Sequence, residues 1–242
     1  MAHGSPDWWG GGASETVHSV MDVGELAARL YSPSVYERAG NVLFQDDFRF
    51  GLGRWLPSFA AGKRGMRIIC TPIASGYYAM LLWVSDATSP IQHAYTYFAD
   101  PVPSRCGFEV WISLQTAVKY VYLSMYHGNG TQRREYEVQY VHATGTLGYL
   151  SNVGGYVPFG APGVLSASGY TYLATKLVVD IETGQYVRMH WGSYMYNLTG
   201  IPAYSAAYSG YPLLSLHIGV EATGGAWTAI AIDNVVVTQN EW

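Results

Sequence analysis

The residues best able to do chemistry stand at alternate positions in three short segments. Within 108–115, Glu109, Trp111 and Ser113 share one face of an extended chain. Tyr122, Ser124 and Tyr126 do so within 120–127, and Glu135, Glu137 and Gln139 within 135–141. If these segments are neighbouring strands, they form a platform of Trp, Tyr, carboxylate and amide. An aromatic plane covers the apolar C–H face of a sugar ring, and planar donors and acceptors bind its hydroxyls. The expected glycan contacts are Glu109, Trp111, Tyr122, Tyr126, Glu137 and Gln139. A half-exposed sheet face without a ligand selects the same residue types, so both readings stay open.

Paired carboxylates offer a second chemistry. Glu135/Glu137 and Asp180/Glu182 have i, i+2 spacing. Glycoside hydrolysis needs an acid and a nucleophile or base about 5–9 Å apart. No local Ser or Cys nucleophile motif with a His partner accompanies them. The seven His show no ligand-like cluster, which argues against zinc. Asp46, Asp47, Asp233 and Asn234 supply oxygen donors of the kind that suits calcium.

Strands and turns must position these groups. From Asn41 onward, short apolar or alternating runs are separated by Gly, Pro, Asn and Ser. Strands are expected over 42–48, 66–70, 78–84, 108–115, 120–127, 135–141, 147–152, 175–182, 186–194, 213–221 and 229–238. Ten or more short strands mean a sandwich or barrel. Around Thr183-Gly184-Gln185, alternation favours a three-residue hairpin loop with Gly184 near the left-handed region. That register sets Asp180 opposite Arg188 as a cross-strand ion pair. Ahead of Asn41, Asp22-Val-Gly-Glu25 resembles a capping box, and Val23, Leu26 and Leu30 follow at helical spacing. One short helix at about 22–31 is expected. A lone helix of that length needs a packing partner.

The ends of this region carry a family resemblance. Asn41-Val-Leu-Phe-Gln-Asp-Asp-Phe48 is followed by Gly51 and Trp55, and the chain closes on Trp227-Thr-Ala-Ile-Ala-Ile-Asp-Asn-Val-Val-Val-Thr238. These segments resemble the terminal strands of a concanavalin A-like (laminin G-like) jelly roll. The resemblance covers roughly 41–240. It implies an all-β, two-sheet antiparallel sandwich whose chain ends meet in one sheet. It also implies a structural Ca²⁺ as candidate ion near those ends, with no cofactor required. Jelly-roll glycosidases of related type carry a Glu-x-Asp-x-x-Glu pattern. Val-Val-Asp180-Ile-Glu182 lacks its first Glu and sits at a turn.

Composition narrows the function classes. Of 242 residues, 12% are charged against roughly 25% in average chains, while Tyr numbers 21 and Gly 28. A Tyr-rich, charge-poor surface suits contact with sugars or proteins. A net charge of −4 without a Lys/Arg run argues against nucleic acid. No apolar stretch has the length of a membrane span, and no signal peptide is visible. Cys70 and Cys106 read as buried small hydrophobes. Asn129-Gly-Thr131 and Asn197-Leu-Thr199 match the glycosylation sequon.

Two units are therefore expected: an arm with a short helix (1–40) and a jelly-roll sandwich (41–242). Trp8 and Trp9 stand beside Gly10-Gly11-Gly12, and paired exposed Trp on a flexible tail is unfavourable. The arm should dock on its own domain or on a neighbouring subunit. The leading expectation is a non-enzymatic structural protein, a subunit that self-assembles or decorates a virion, phage shell or filament through Trp8, Trp9, Val23, Leu26 and Leu30. A homo-oligomer or other particle subunits are its expected partners, at a virion or extracellular particle surface. The alternative is a carbohydrate-binding module or lectin-like adhesin, and the third reading is a glycoside hydrolase.

Overall fold

The computed structural model describes residues 40–58, 64–74, 76–85, 91–224 and 226–242. The expected arm, its helix and its contacts Trp8, Trp9, Val23, Leu26 and Leu30 lie outside them. The first strands are β1 (Asn41–Asp46), β2 (Leu56–Pro57), β3 (Arg64–Ile69), β4 (Ala79–Val84), β5 (Ile91–Ala99), β6 (Arg105–Leu114), β7 (Tyr120–Gly128) and β8 (Gln132–Val141). They are followed by β9 (Thr146–Leu150), β10 (Tyr156–Gly160), β11 (Leu173–Asp180), β12 (Gln185–Trp191), β13 (Tyr194–Asn197), β14 (Tyr204–Ala207), β15 (Leu213–Glu221) and β16 (Thr228–Gln239). All pairings are antiparallel, and the fold is a two-sheet jelly-roll sandwich.

The first sheet runs β13-β12-β11-β6-β16-β4-β3, with β1 also on β16. The second runs β10-β9-β8-β7-β15-β5-β2, with β14 on β8. The chain ends meet in the first sheet, where β1 and β4 follow one another along β16. Asn234, at φ 49°, sits in the register shift between these two partners. Alternation drives the layering. Val121, Leu123 and Met125 on β7, and Leu214, Leu216, Ile218 and Val220 on β15, face Phe108, Val110, Ile112 and Leu114 of β6 and Ile230 and Ile232 of β16 in one core. Burying each such side chain contributes about 1.5–3 kcal/mol.

The outward side of the first sheet closes over a buried ion cluster. Lys176 Nζ lies 2.7 Å and an Arg188 guanidinium nitrogen 3.1 Å from the two Glu241 carboxylate oxygens. Thr238 Oγ1 donates to Glu241 at 2.5 Å, and Arg188 donates to the Trp242 carbonyl at 2.7 Å. This cluster corrects the expected Asp180–Arg188 pair. Gly184 does adopt φ 76°, but the loop is longer than the expected three residues, with Asp180 opposite Gln185. A register shift then places Arg188 opposite Val178. Asp180 Oδ1 instead accepts the Thr183 N–H at 3.0 Å. Cys106 is buried as expected, whereas Cys70 is exposed, and both are free thiols. No helix of the described residues is long and apolar enough to cross a membrane.

Candidate functional site

The outward face of the second sheet carries the candidate site. β15 pairs β7 on one side and β5 on the other, and β8 follows β7. Their registers arrange side chains in three rows across four strands. One row is Glu137, Ser124, His217 and Tyr95. The row beside it is Glu135, Tyr126, Ser215 and Tyr97, and the third is Gln139, Tyr122, Gly219 and His93. Neighbouring strands are about 4.8 Å apart, so each row brings its side chains into contact.

Aromatic rings fill the centre of this grid. The His217 ring lies 4.2 Å from that of Tyr126 and stacks on Tyr95 at 5.2 Å. His93 stacks on Tyr122 at 5.9 Å and stands edge-on to His217 at 6.4 Å. Gly219 makes this possible. A Cβ there would lie 2.8 Å from His93 Cε1 and 3.2 Å from Tyr122 Cδ2, so the two rings occupy the place of a side chain.

Two carboxylates anchor the phenols. Glu137 accepts from Ser124 Oγ at 2.5 Å, from Tyr126 at 3.4 Å and from the Tyr156 hydroxyl. Tyr156 reaches it from β10 across β9, where Gly148 stands opposite Gln139 without a side chain. Glu221 accepts from Tyr122 and from Lys119, each at 2.6 Å, while Gln139 Nε2 donates to Tyr122 at 3.2 Å. Glu135 pairs with Arg133.

The backbone of Glu137 is fixed from the opposite sheet. Along one side of β8, β14 pairs Gln132–Glu135 and β9 pairs Val138–Val141, leaving a gap between them. The Tyr186 hydroxyl of β12 fills it, accepting the Glu137 N–H at 2.8 Å and donating to the Leu150 carbonyl at 3.1 Å. A buried N–H must find a partner, and here the partner crosses the core.

Burial sets the protonation states. It holds His217 down at about 3, with nearby His93 and Arg133 adding to the shift. It also lowers His93, against the pull of Glu137. Burial, with the nearby carboxylates, raises the phenols of Tyr122, Tyr126 and Tyr156. Burial raises Glu135, against the pull of Arg133. At neutral pH the centre therefore presents uncharged imidazoles and phenols, which both donate and accept. His93 Nδ1 is buried without a hydrogen-bond partner among the described residues.

The structure sorts the expected site residues. Tyr122, Tyr126, Glu137 and Gln139 stand together on this face. Glu109 and Trp111 do not, because β6 belongs to the opposite sheet, paired with β11 and β16. There Glu109 is buried opposite Lys176, and Trp111 is opposite Ala174 and Asp233. Asp180, at the end of β11, lies in the first sheet, whereas Glu135 and Glu137 lie in the second. Sequence reasoning missed His93, Tyr95, His217, Glu221 and Tyr156. The β15 residues were signalled by the alternation of Ser215, His217, Gly219 and Glu221 with Leu214, Leu216, Ile218 and Val220.

The expected calcium donors serve the local fold. Asp46 accepts the Phe48 N–H at 2.8 Å and the Trp55 indole N–H at 3.0 Å. Asp47 pairs with Arg49, and Asp233 accepts from the N–H groups of Ala74 and Asn234. Among the described residues no group of three or more His, Cys, Asp or Glu converges to hold a metal ion.

No protein-family model and no curated protein matches the chain. Solved structures do. An endo-β-1,4-glucuronan lyase from the fungus Trichoderma reesei superposes with a TM-score of 0.57 at 10% identity, over 82% of this chain and 96% of that one. A cellulose-induced protein gives 0.56 at 15% identity, over 81% and 96%. A carbohydrate esterase from a Shiga toxin-encoding bacteriophage gives 0.51 at 13% identity, over 84% and 100%. At these identities the likeness is one of fold.

The expectation of a non-enzymatic protein is corrected here. A lyase and an esterase share this sandwich, so a missing Glu-x-Asp-x-x-Glu pattern is no argument against catalysis in it. The particle-subunit expectation rested on the arm together with the low charge, the many Tyr and the lack of a signal peptide or catalytic motif, and of residues 1–40 only Gly40 is described.

Proposed function

We propose that the protein is a carbohydrate-active sandwich that holds a glycan on the outward face of its second sheet, across β8, β7, β15 and β5. The observation that carries this reading is the grid itself. Rings of Tyr95, Tyr126 and His217 lie side by side, and hydroxyl, amide and carboxylate groups surround them. Such a surface stacks on the C–H faces of sugars and bonds their hydroxyls without needing a charged ligand. Tyr97, 53% exposed, and Tyr156, 38% exposed, extend it at two margins. The test is affinity electrophoresis in gels containing soluble polysaccharides. Tyr126→Ala and Tyr95→Ala should lose retardation while keeping the native melting transition. Retardation unchanged in both variants would refute the site.

A second reading is proton transfer on the bound sugar. It is favoured by the uncharged His217, whose Nε2 lies 3.2 Å from Ser215 Oγ and whose ring packs on Tyr126. Efficient acid–base catalysis requires such a group within hydrogen-bond reach of the proton it moves. New sugar ends released from a polysaccharide by the native protein, and lost in His217→Ala, would support it. Equal release by both proteins would exclude His217 from the chemistry.

A further inference from the structure

The charge pattern of the same face narrows its ligand class. We infer that the face selects uncharged sugars and rejects polyuronates, because Glu137 on β8 is a carboxylate with hydroxyl partners and no cation partner among the described residues. This deepens the glycan-binding reading and rests on it.

The argument is a census of the charges that face the grid. Glu135 is paired with Arg133, and Glu221 with Lys119 at 2.6 Å. The partners of Glu137 are the hydroxyls of Ser124, Tyr126 and Tyr156. These hydroxyls bring no positive charge of their own. Its field reaches Tyr122, Tyr126, Tyr156 and His93 from β8. The two histidines offset nothing at neutral pH, since burial keeps both uncharged. One more cation among the described residues stands at the β5 margin, where its field falls on His93. Arg64, from the first sheet, donates to the Ile91 carbonyl on β5. β5 is three strands from β8, so that contact lies ~14 Å or more from Glu137. That exceeds the ~8 Å screening length at physiological salt. An anionic sugar laid on the rings near β8 therefore lies over a buried carboxylate that has no cation partner among the described residues. A neutral sugar meets no such repulsion.

The glucuronan lyase that shares this fold makes the opposite outcome a real alternative. The experiment uses isothermal titration of the full chain with matched oligosaccharide pairs. Each pair shares its linkage and differs only in a carboxylate replacing the hydroxymethyl group: glucan and glucuronan, galactan and galacturonan, mannan and mannuronan. The neutral member of the pair that binds should bind at least roughly tenfold more tightly, as expected for one unscreened like charge nearby. Added salt should narrow that difference. Glu137→Gln, with a native melting transition, should narrow it too, by raising affinity for the acidic member. Equal or tighter binding of the acidic member would overturn the inference while leaving the glycan reading in place. Binding of no member of any pair would overturn both.

Discussion

Removing the Glu241 carboxylate should unfold the protein at a markedly lower temperature. Lys176 is 1% and Glu241 0% exposed at the side chain, and Arg188 is 7% exposed. In Glu241→Ala, Lys176 and Arg188 lose the carboxylate that joins them, and Glu109 of β6, opposite Lys176, is the buried acid that remains beside them. Breaking a buried ion pair from one side costs about 3–5 kcal/mol, because the remaining charge stays desolvated. For a chain of this size each kcal/mol moves the midpoint by about 2–4 °C, so the expected loss is about 6–20 °C. Glu241→Gln keeps the shape and an acceptor for Thr238, and should lose less. Adding Lys176→Met to Glu241→Ala should recover part of the loss, since the second change removes one stranded charge. Differential scanning calorimetry at neutral pH reads all four proteins. A Glu241→Ala midpoint within 2 °C of the native one would refute the reasoning. It would show that the chain end swings away and lets water reach Lys176.

Three further outcomes are expected. Tyr186→Phe should cost about 1–3 kcal/mol, because it strands the Glu137 N–H and the Leu150 carbonyl. It should also weaken glycan binding through the displaced Glu137, and native stability with native affinity would contradict the positioning role. Acidification should destabilise the fold starting near pH 6.5. Folded-state values of about 3 for His217 and about 4 for His190, with His93 also lowered, mean that the unfolded chain binds more protons there. Stability then rises with pH between about 3 and 6.5 on their account. Asp46 and Glu135, raised by burial, act in the opposite sense nearer the carboxylate range. The His217→Gln variant should flatten the stability slope between about pH 6.5 and 5, and an unchanged slope would count against its burial as a neutral ring. Titration with a thiol reagent should find one reactive cysteine, Cys70, in the native protein and two after denaturation. Burial pushes the Cys106 thiol up to about 12, which keeps it protonated and slow. Two fast thiols in the native state would contradict that burial.

The sandwich was legible where alternation was clean and ends were marked. β15 reads Leu-Leu-Ser-Leu-His-Ile-Gly-Val-Glu, with every second residue apolar, and its limits match the expected strand. The meeting of chain ends was legible through Asp46, Trp55 and the Ile-Asp-Asn-Val-Val-Val run. β5 was not. Its core-facing residues include Gln92, Ala94 and Thr96, while its outward face is His93, Tyr95 and Tyr97. Polar groups on the inside and rings on the outside invert the pattern that a strand reading relies on. The site was half legible for the same reason. β7 and β8 are adjacent in sequence and in space, so Tyr122, Tyr126, Glu137 and Gln139 could be grouped. His93, Tyr95, His217 and Glu221 join them through pairings between strands more than 80 residues apart in the chain. The same non-local wiring sends β6 to the other sheet and removes Glu109 and Trp111 from the platform. The hairpin register failed at the turn, which closes with Asp180 opposite Gln185, and a further shift follows between Val178 and Val179.

The central claim is that the β8–β7–β15–β5 face is the glycan surface. Amide hydrogen exchange, with and without the tightest-binding neutral oligosaccharide, tests it most directly. The account predicts slowed exchange concentrated in β5, β7, β8 and β15, with the β11 and β12 amides unchanged. Slowing confined to the first sheet or to the loops, with the second-sheet face unaffected, would contradict it.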